Sequence, residues 1–542
     1  MKFNSLLSRI LFSCVLVFSI STVFAQSTRK PAPPVVITKE QASELKKQAA
    51  DLYKANSFKA AIDPYVKLVS FDPDNMDYNY KLGMCYLNSN VDKSQAIQHF
   101  VKAADKKDAP KDVYYQMGRS LLAANLFDEA IEAFEKYKEV NKGVVNAKMN
   151  LNQYIEYCYN GKEYVKKPLE VKFTNPGKLV NSISADYAPI GMAVDSALYF
   201  TSNRKGNMGG IVDGFGEIIP DIYSTSKTDT SWTKAKNPGT NLNSELYDIS
   251  TGLNSNGDKM LVYKEGAEAA GDIYISSLKG KSWQKAELLD PSLATKTLET
   301  GACISNDGKR IFFAADMKGT LGGKDIFMME MNESKKWGAP VNLGPTINTK
   351  LDEENPMLWH DGKTLFFSSQ GHTSMGGFDV FMSYRPDPVS DWAKPMNIGF
   401  PLNTTGDDLY FTLAANARTG YVATVKKGGL GDLDIWYFNL TEPLIKNAGV
   451  LFRASILSPQ GLPSKDAMCS VVKESTGEVL GIMEANGAAA EIFILLPAGN
   501  YKLKARSPKM GRLEEDIVVT GDEGEKGISK VFKMQPNPSS KP

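Results

Sequence analysis

The chain is poor in the residues that build most metal and nucleophilic sites. Its 542 residues include five cysteines and three histidines. His99, His360 and His372 are scattered, whereas zincin-type metal binding needs two histidines on one helix face. Cys85, Cys158, Cys303 and Cys469 lie far apart and form no CxxC pair, which excludes a disulfide-built module and a thiolate cluster. Charge of one sign is lacking as well. With 63 Lys and Arg against 62 Asp and Glu, there is no basic surplus for nucleic acid or an anionic membrane. No phosphate-binding loop, dinucleotide fingerprint or Gly-x-Ser-x-Gly elbow occurs. No cofactor, no metal and no nucleic-acid partner are expected.

Long apolar runs are confined to the start. Lys2 and Arg9 precede a largely apolar stretch from Ile10 to Val23, and Ala25 closes a cleavage-like site. That stretch is 14 residues, short of the roughly 20 a membrane span requires. Residues 1–25 therefore read as a cleaved signal peptide, and the mature chain as exported to the periplasm without a transmembrane segment. Cys14 sits inside the apolar run, which argues against lipid modification. Residues 26–37 form a Pro-containing linker, and the polar residues 535–542 a disordered tail.

What the chain has in abundance is repetition. Asp221, Asp272, Asp325, Asp379 and Asp434 recur 51 to 55 residues apart, each opening a short aromatic strand. The clearest copy runs from Glu354 through the turn at His360 and Asp361 and the glycines Gly376 and Gly377 to Asp379, then Trp392. A period near 50 of short strands and turns predicts a β-propeller, one four-stranded blade per repeat. Five blades fit residues 169–439. Asn-x-Gly segments followed by a second Asn start at Asn175, Asn237, Asn342 and Asn397. The first has no blade before it and the last blade has none after it. The stretch near 170–181 is therefore expected to supply the missing strand of the last blade and close the ring.

Ahead of the blades, residues 38–165 are helical with a shorter period. Ala49, Gly83 and Gly118 fall 34 and 35 residues apart, followed in register by Ala61, Ala96 and Ala130, then Tyr65, Phe100 and Phe134. Small residues let the paired helix approach, and the aromatic fills the gap beside it. This pattern resembles the tetratricopeptide (TPR) repeat, best at Leu82, Gly83, Tyr86, Ala96 and Phe100, with a capping helix near 144–159. The register puts Tyr53, Lys54, Tyr80, Asn88, Tyr115 and Arg119 on the concave face, and Tyr and Arg are the types that anchor partner segments. Packing between helices is the alternative for the tyrosines. Residues 448–534 alternate like strands, and Gly449, Leu495, Pro497, Gly499 and Tyr501 resemble a carboxypeptidase regulatory-like domain, a transthyretin-type sandwich. The expected fold is thus multidomain: an all-α TPR solenoid, a five-bladed all-β propeller, and a small β-sandwich.

One constellation invites chemistry. Asp186, Glu245, Glu299, Glu354 and Asp408 are assigned to equivalent places at the start of each innermost strand. They could ring one mouth of the channel and capture a cation or a basic side chain, or each could tie its blade to a neighbour through backbone N–H groups or a base such as Arg204 or Lys264. Propellers also host hydrolases, for which Asp352, Glu353 and Glu354 are the first residues to examine.

The order of these units is similar to a Bacteroidota cell-envelope family. It includes the PorE-like TPR–propeller subunit of the type IX secretion machinery, whose propeller is WD40-like (TolB-like). The resemblance is carried by Gly376, Gly377, Phe378, Asp379, Val380 and Phe381 with Trp392, Ala393, Lys394 and Pro395. It implies a non-enzymatic scaffold at the outer membrane whose partners are envelope or secretion-machinery proteins, with cell-wall glycan a further class. Family members usually continue into an OmpA-type domain; this sequence ends at Pro542 with no such motif, so anchoring to peptidoglycan does not carry over. A glycan sensor and a propeller hydrolase are the alternative functions.

Overall fold

Small residues facing aromatics set the geometry of the first half of the molecule. In the computed structural model, which describes residues 37–536 apart from 144–149, 192–196, 214–215, 229–230, 255–256, 266–270, 281, 291–298, 447–448, 486–488, 508–510, 522 and 524–526, seven α-helices come first. They are α1 (Lys39–Lys54), α2 (Phe58–Phe71), α3 (Met76–Leu87), α4 (Ala96–Ala104), α5 (Val113–Ala123), α6 (Phe127–Val140) and α7 (Leu151–Val165). A side chain at Gly83 would place its Cβ 2.8 Å from the Phe100 ring; at Gly118 it would lie 2.5 Å from Phe134. Glycine at these sites is what lets α3 close on α4 and α5 on α6. Thr38 starts the array with a capping box, its hydroxyl accepting from Gln41 N–H while the Gln41 side chain accepts from Thr38 N–H. The signal peptide, most of the linker and nearly all of the tail read from the sequence lie outside the described residues.

Five antiparallel sheets follow. Each starts from an innermost strand: Asp186–Gly191, Asp248–Leu253, Glu299–Ile304, Glu353–Leu358 and Phe411–Leu413. Each continues through a second strand to a third one opened by an aspartate: Asp221–Ser226, Asp272–Lys279, Asp325–Glu330, Asp379–Tyr384 and Asp434–Leu440. In four of the five the innermost strand carries a bulge, as between Tyr187 and Ile190 and between Glu354 and Met357. Neighbouring innermost strands pack on one another from the first sheet to the fourth, and the first sheet also packs on the fifth. The fourth meets the fifth through Phe366 against Phe411, ring centroids 5.3 Å apart. The sheets thus form a closed circuit.

The fifth sheet takes its outer strand from far upstream. Val171–Thr174 pairs antiparallel with Asp434–Leu440, Val171 opposite Leu440 and Thr174 opposite Tyr437. A tryptophan wedge repeats between sheets: Trp232 stacks edge-on to Tyr421, Trp283 to Tyr199 and Trp392 to Phe312, each ring on the second strand of the preceding sheet. Beyond the ring, two further sheets share one core. Val450–Leu457 is flanked by Glu491–Leu496 and, in parallel, by Ile528–Lys533. Met468–Lys473 lies between Val479–Glu484 and Gly499–Ser507, with Gly511–Val519 outside. Phe452, Ile456, Val471, Tyr501 and Leu503 are buried between them.

Candidate functional site

The recurring Asn-x-Gly…Asn segment is a hydrogen-bond clamp. In the first copy, Asn175 donates its amide to Asp434 (2.9 Å) and accepts from Gly177 N–H (2.8 Å) and from the Asn181 amide (3.0 Å). Asn181 then takes Ile435 N–H (2.9 Å) and donates to Ile435 O (2.9 Å). Asn237 and Asn243 repeat this on Asp221 and Ile222, Asn342 and Asn348 on Asp325 and Ile326, Asn397 and Asn403 on Asp379 and Val380. Buried backbone groups left unpaired by the short fourth strands are satisfied in this way. The first copy, which precedes the first sheet, latches the last.

The acidic positions belong to the same system, and two of the expected residues are corrected. A Ser or Thr follows each second asparagine, and its N–H binds the carboxylate four residues on. Ser182 N–H donates to Asp186 (2.5 Å), Ser244 N–H to Asp248 (2.5 Å), Thr349 N–H to Glu353 (2.8 Å) and Thr404 N–H to Asp408 (2.6 Å). The members in register are therefore Asp248, not Glu245, and Glu353, not Glu354. Glu245 precedes its strand, where its backbone lies against Gly209. Glu354 sits one position on, held by Lys324 (2.5 Å) and the Thr300 hydroxyl (2.6 Å). Glu299 starts its strand opposite Ala315.

These carboxylates face inward to the protein. Asp186, Asp248 and Glu353 are wholly buried and Asp408 nearly so. Arg204 pairs with Asp186 (2.5 Å) and Lys264 with Asp248. Glu353 has two hydroxyls instead, from Thr349 (2.8 Å) and Ser369 (2.6 Å), and burial pushes it up to about 7. Burial likewise pushes Asp408 up to about 7, against the hydrogen bonds from Thr404 that favour its charged form. Each carboxylate thus ties its strand to the clamp segment of the preceding sheet, two of them with the bases Arg204 and Lys264, and these groups form no open ring of like charge. Among the described residues, no group of three His, Cys, Asp or Glu is placed to hold a metal ion.

The innermost strands enclose a cavity of about 90 Å³, lined by Pro189, Thr251, Asn355, Tyr410 and Thr412 among others. Ordered water in such a space needs polar partners. The Thr251 and Thr412 hydroxyls are buried without a protein partner, a polar lining suited to such waters. His360 also lines it, pushed down to about 4 by burial and so neutral.

The helical array presents the other surface. Tyr80 donates to both oxygens of Asp112 (2.9 Å), and Arg119 lies over the Tyr154 ring (5.9 Å) while donating to Gln116 (2.9 Å). Tyr53 packs edge-on to Phe58 and Tyr65 beneath Lys81, and burial pushes its hydroxyl up to about 12. Lys54 is exposed. Asn88 bonds back to Met84 O (2.9 Å). Tyr115 departs from expectation: it is 6% exposed, wedged among Phe134, Tyr137 and Tyr154, so it is a packing residue. Asp112 and Tyr154 belong to this face and were not among the expected residues; they lie off the 34- to 35-residue register of Tyr80 and Tyr115, so the repeat alone does not mark them.

No family model matches the chain. Serine/threonine-protein phosphatase 5 of Mus musculus is 29% identical over 132 residues, 23% of this chain and 25% of that protein. The Rattus norvegicus phosphatase 5 is 29% identical over 127 residues, 22% of this chain and 24% of its own. The chain spans about a quarter of the length of these relatives. Among solved structures, TolB from Acinetobacter baumannii aligns at TM-score 0.32 and 12% identity, covering 54% of this chain and 71% of that one. A Penicillium chrysogenum alpha-L-arabinanase complexed with arabinobiose aligns at TM-score 0.32 and 11% identity, over 51% of this chain and 98% of that one.

Proposed function

We propose that this protein is a non-enzymatic scaffold for protein–protein interaction, exported to the periplasm and associated with the outer membrane. In this reading the sheet ring is a five-bladed, TolB-like β-propeller. It carries a TPR array on one side and a transthyretin-type sandwich on the other. Its partners are envelope or secretion-machinery proteins, in type IX secretion or envelope assembly. One observation carries the proposal: the ring's described strand-start carboxylates are consumed inside it, while the array keeps a polar aromatic face. Tyr80 and Gln116 bond Asp112 there and Arg119 bonds Gln116, with Tyr53, Tyr80 and Arg119 half-buried and Lys54 exposed.

A hydrolase role finds little support in the three candidate acids. Asp352 accepts Lys324 N–H (3.0 Å), Glu354 is paired with Lys324, and Glu353 has no exposed surface. A general acid must reach its substrate. No described helix is long and apolar enough to cross a membrane.

Affinity purification of the full chain from cells, with cross-linking and mass spectrometry, tests the scaffold. Outer-membrane or secretion components should be recovered, and the Tyr53→Ala/Tyr80→Ala double variant should lose them with its helix content intact. Recovery of a monomer that hydrolyses glycans, or retention of every partner by the variant, contradicts the proposal.

A further inference from the structure

Two of the wholly buried repeat aspartates, Asp221 and Asp379, keep an Oδ1 without a partner, and Asp379 is the one that holds the loop on which the helical array rests. The equivalents in the third and fifth sheets have both oxygens satisfied. Asp325 accepts from Leu321 N–H (2.8 Å), Gly322 N–H (3.3 Å) and Asn342 (2.7 Å). Asp434 accepts from Leu430 N–H (2.5 Å), Gly431 N–H (3.0 Å) and Asn175 (2.9 Å). In Asp379, Oδ2 takes Met375 N–H (2.9 Å) and Asn397 (2.7 Å), whereas Oδ1 is buried with no partner. The residue has no exposed surface. An ionised oxygen there would be desolvated and uncompensated, while a protonated one is tolerated.

The loop that Asp379 holds runs from Gln370 to Phe378 and carries contacts to α7. Tyr157 donates its hydroxyl to Gln370 O (2.8 Å), Asn160 its amide to Ser374 O (2.8 Å), and Tyr164 its hydroxyl to Thr373 Oγ1 (2.9 Å). Met375 is buried in the core of the helical array itself. The charged and titratable groups around this point are Asp407 and Asp408, Lys426 facing Asp408, Lys93 facing Asp407, Tyr157 and Tyr164 on α7, His372 of the loop, bonded to Ile347 O near Lys394, and Glu353, which takes the Ser369 hydroxyl that binds Gly371 N–H. None of the lysines bonds to Asp379.

We propose that Asp379 is a proton-operated latch between the sheet ring and the helical array. Protonated, it keeps the Gln370–Phe378 loop seated and α7 held down. Once it loses its proton, the loop lifts, water reaches the carboxylate, and α7 is released. Burial first, and then the neighbouring Asp408, raise the Asp379 carboxyl well above its ordinary value. The seated state therefore binds more protons than the released one. Latching is complete in acid and weakens as pH rises through the raised value.

Hydrogen exchange of the full chain at about pH 5.5 and about pH 8, corrected for intrinsic rates, tests this. Segments 151–165 and 370–378 should exchange about tenfold faster at the higher pH, with 127–140 unchanged. Asp379→Asn, a neutral isostere, should stay slow at both. Asp408→Asn removes the nearest like charge and keeps the backbone bond from its N–H to Phe378 O (2.6 Å), so the midpoint of the wild-type pH profile should move down. Equal protection of the wild type at both pH values, a full pH effect in Asp379→Asn, or an unmoved midpoint in Asp408→Asn overturns the latch.

Discussion

At the scale of single residues, the ring is held by asparagines whose work no other side chain can do. Asn243 supplies an acceptor for Ile222 N–H (2.8 Å) and a donor for Ile222 O (2.9 Å), and its amide reaches Asn237 (2.8 Å). Aspartate lacks the donor, and serine lacks the reach. Asn243→Ala leaves two buried backbone groups and a side-chain oxygen short of partners. At about 1–3 kcal/mol for each of the two backbone groups, the loss should be roughly 2–6 kcal/mol. Urea unfolding should show the midpoint falling with its slope unchanged. A cost under about 0.5 kcal/mol, the usual effect of a surface change, would mean the clamp is decorative.

At the scale of elements, close approach decides what pairs with what. Gly118 lies against Phe134, and α5 meets α6 only because no Cβ intervenes. Gly118→Val should overpack this contact and destabilise the array by about 1–3 kcal/mol. Helical ellipticity should be lost at lower denaturant than the strand signal; simultaneous loss at the wild-type midpoint would refute the packing. This contact was legible in the sequence, because period, small residue and aromatic recur together. So was the strand taken from ahead of the first sheet, through the unmatched Asn175 segment. The acidic register was not. Glu245 stands three residues ahead of Asp248 and Glu354 one beyond Glu353, so an acid near the strand start is ambiguous in the sequence. The marker fixed by bonding is the Ser or Thr after the second asparagine, four residues ahead of Asp248 and Glu353. Tyr115 misled for another reason. A helical face marks direction alone, and α7 brings Tyr154 over that tyrosine from outside the repeat it was read in.

At the scale of the whole molecule, two units lean on one ring. The helical array rests on loops of the fourth and fifth sheets, through α7 and through Lys59 paired with Asp432. The C-terminal unit shares the fifth sheet's core, where Leu495 is buried beside Phe438 and Leu440. The fifth sheet therefore bears both neighbours, and it is also the one completed by a strand from ahead of the first. If that seam opened, the ring would present a free sheet edge and the units would lose their common support. Lys172 and Asn439 face each other across it, both exposed, so each accepts substitution without disturbing the core. Directly opposed strand positions lie within disulfide reach, and the native Cys85, Cys158, Cys303 and Cys469 are all buried. The Lys172→Cys/Asn439→Cys chain, oxidised at low concentration and mapped by peptide mass spectrometry, should form a 172–439 bond within one chain and unfold at higher denaturant than its reduced form. Failure of that bond to form in the native protein, or its appearance only between chains, would contradict the closed ring.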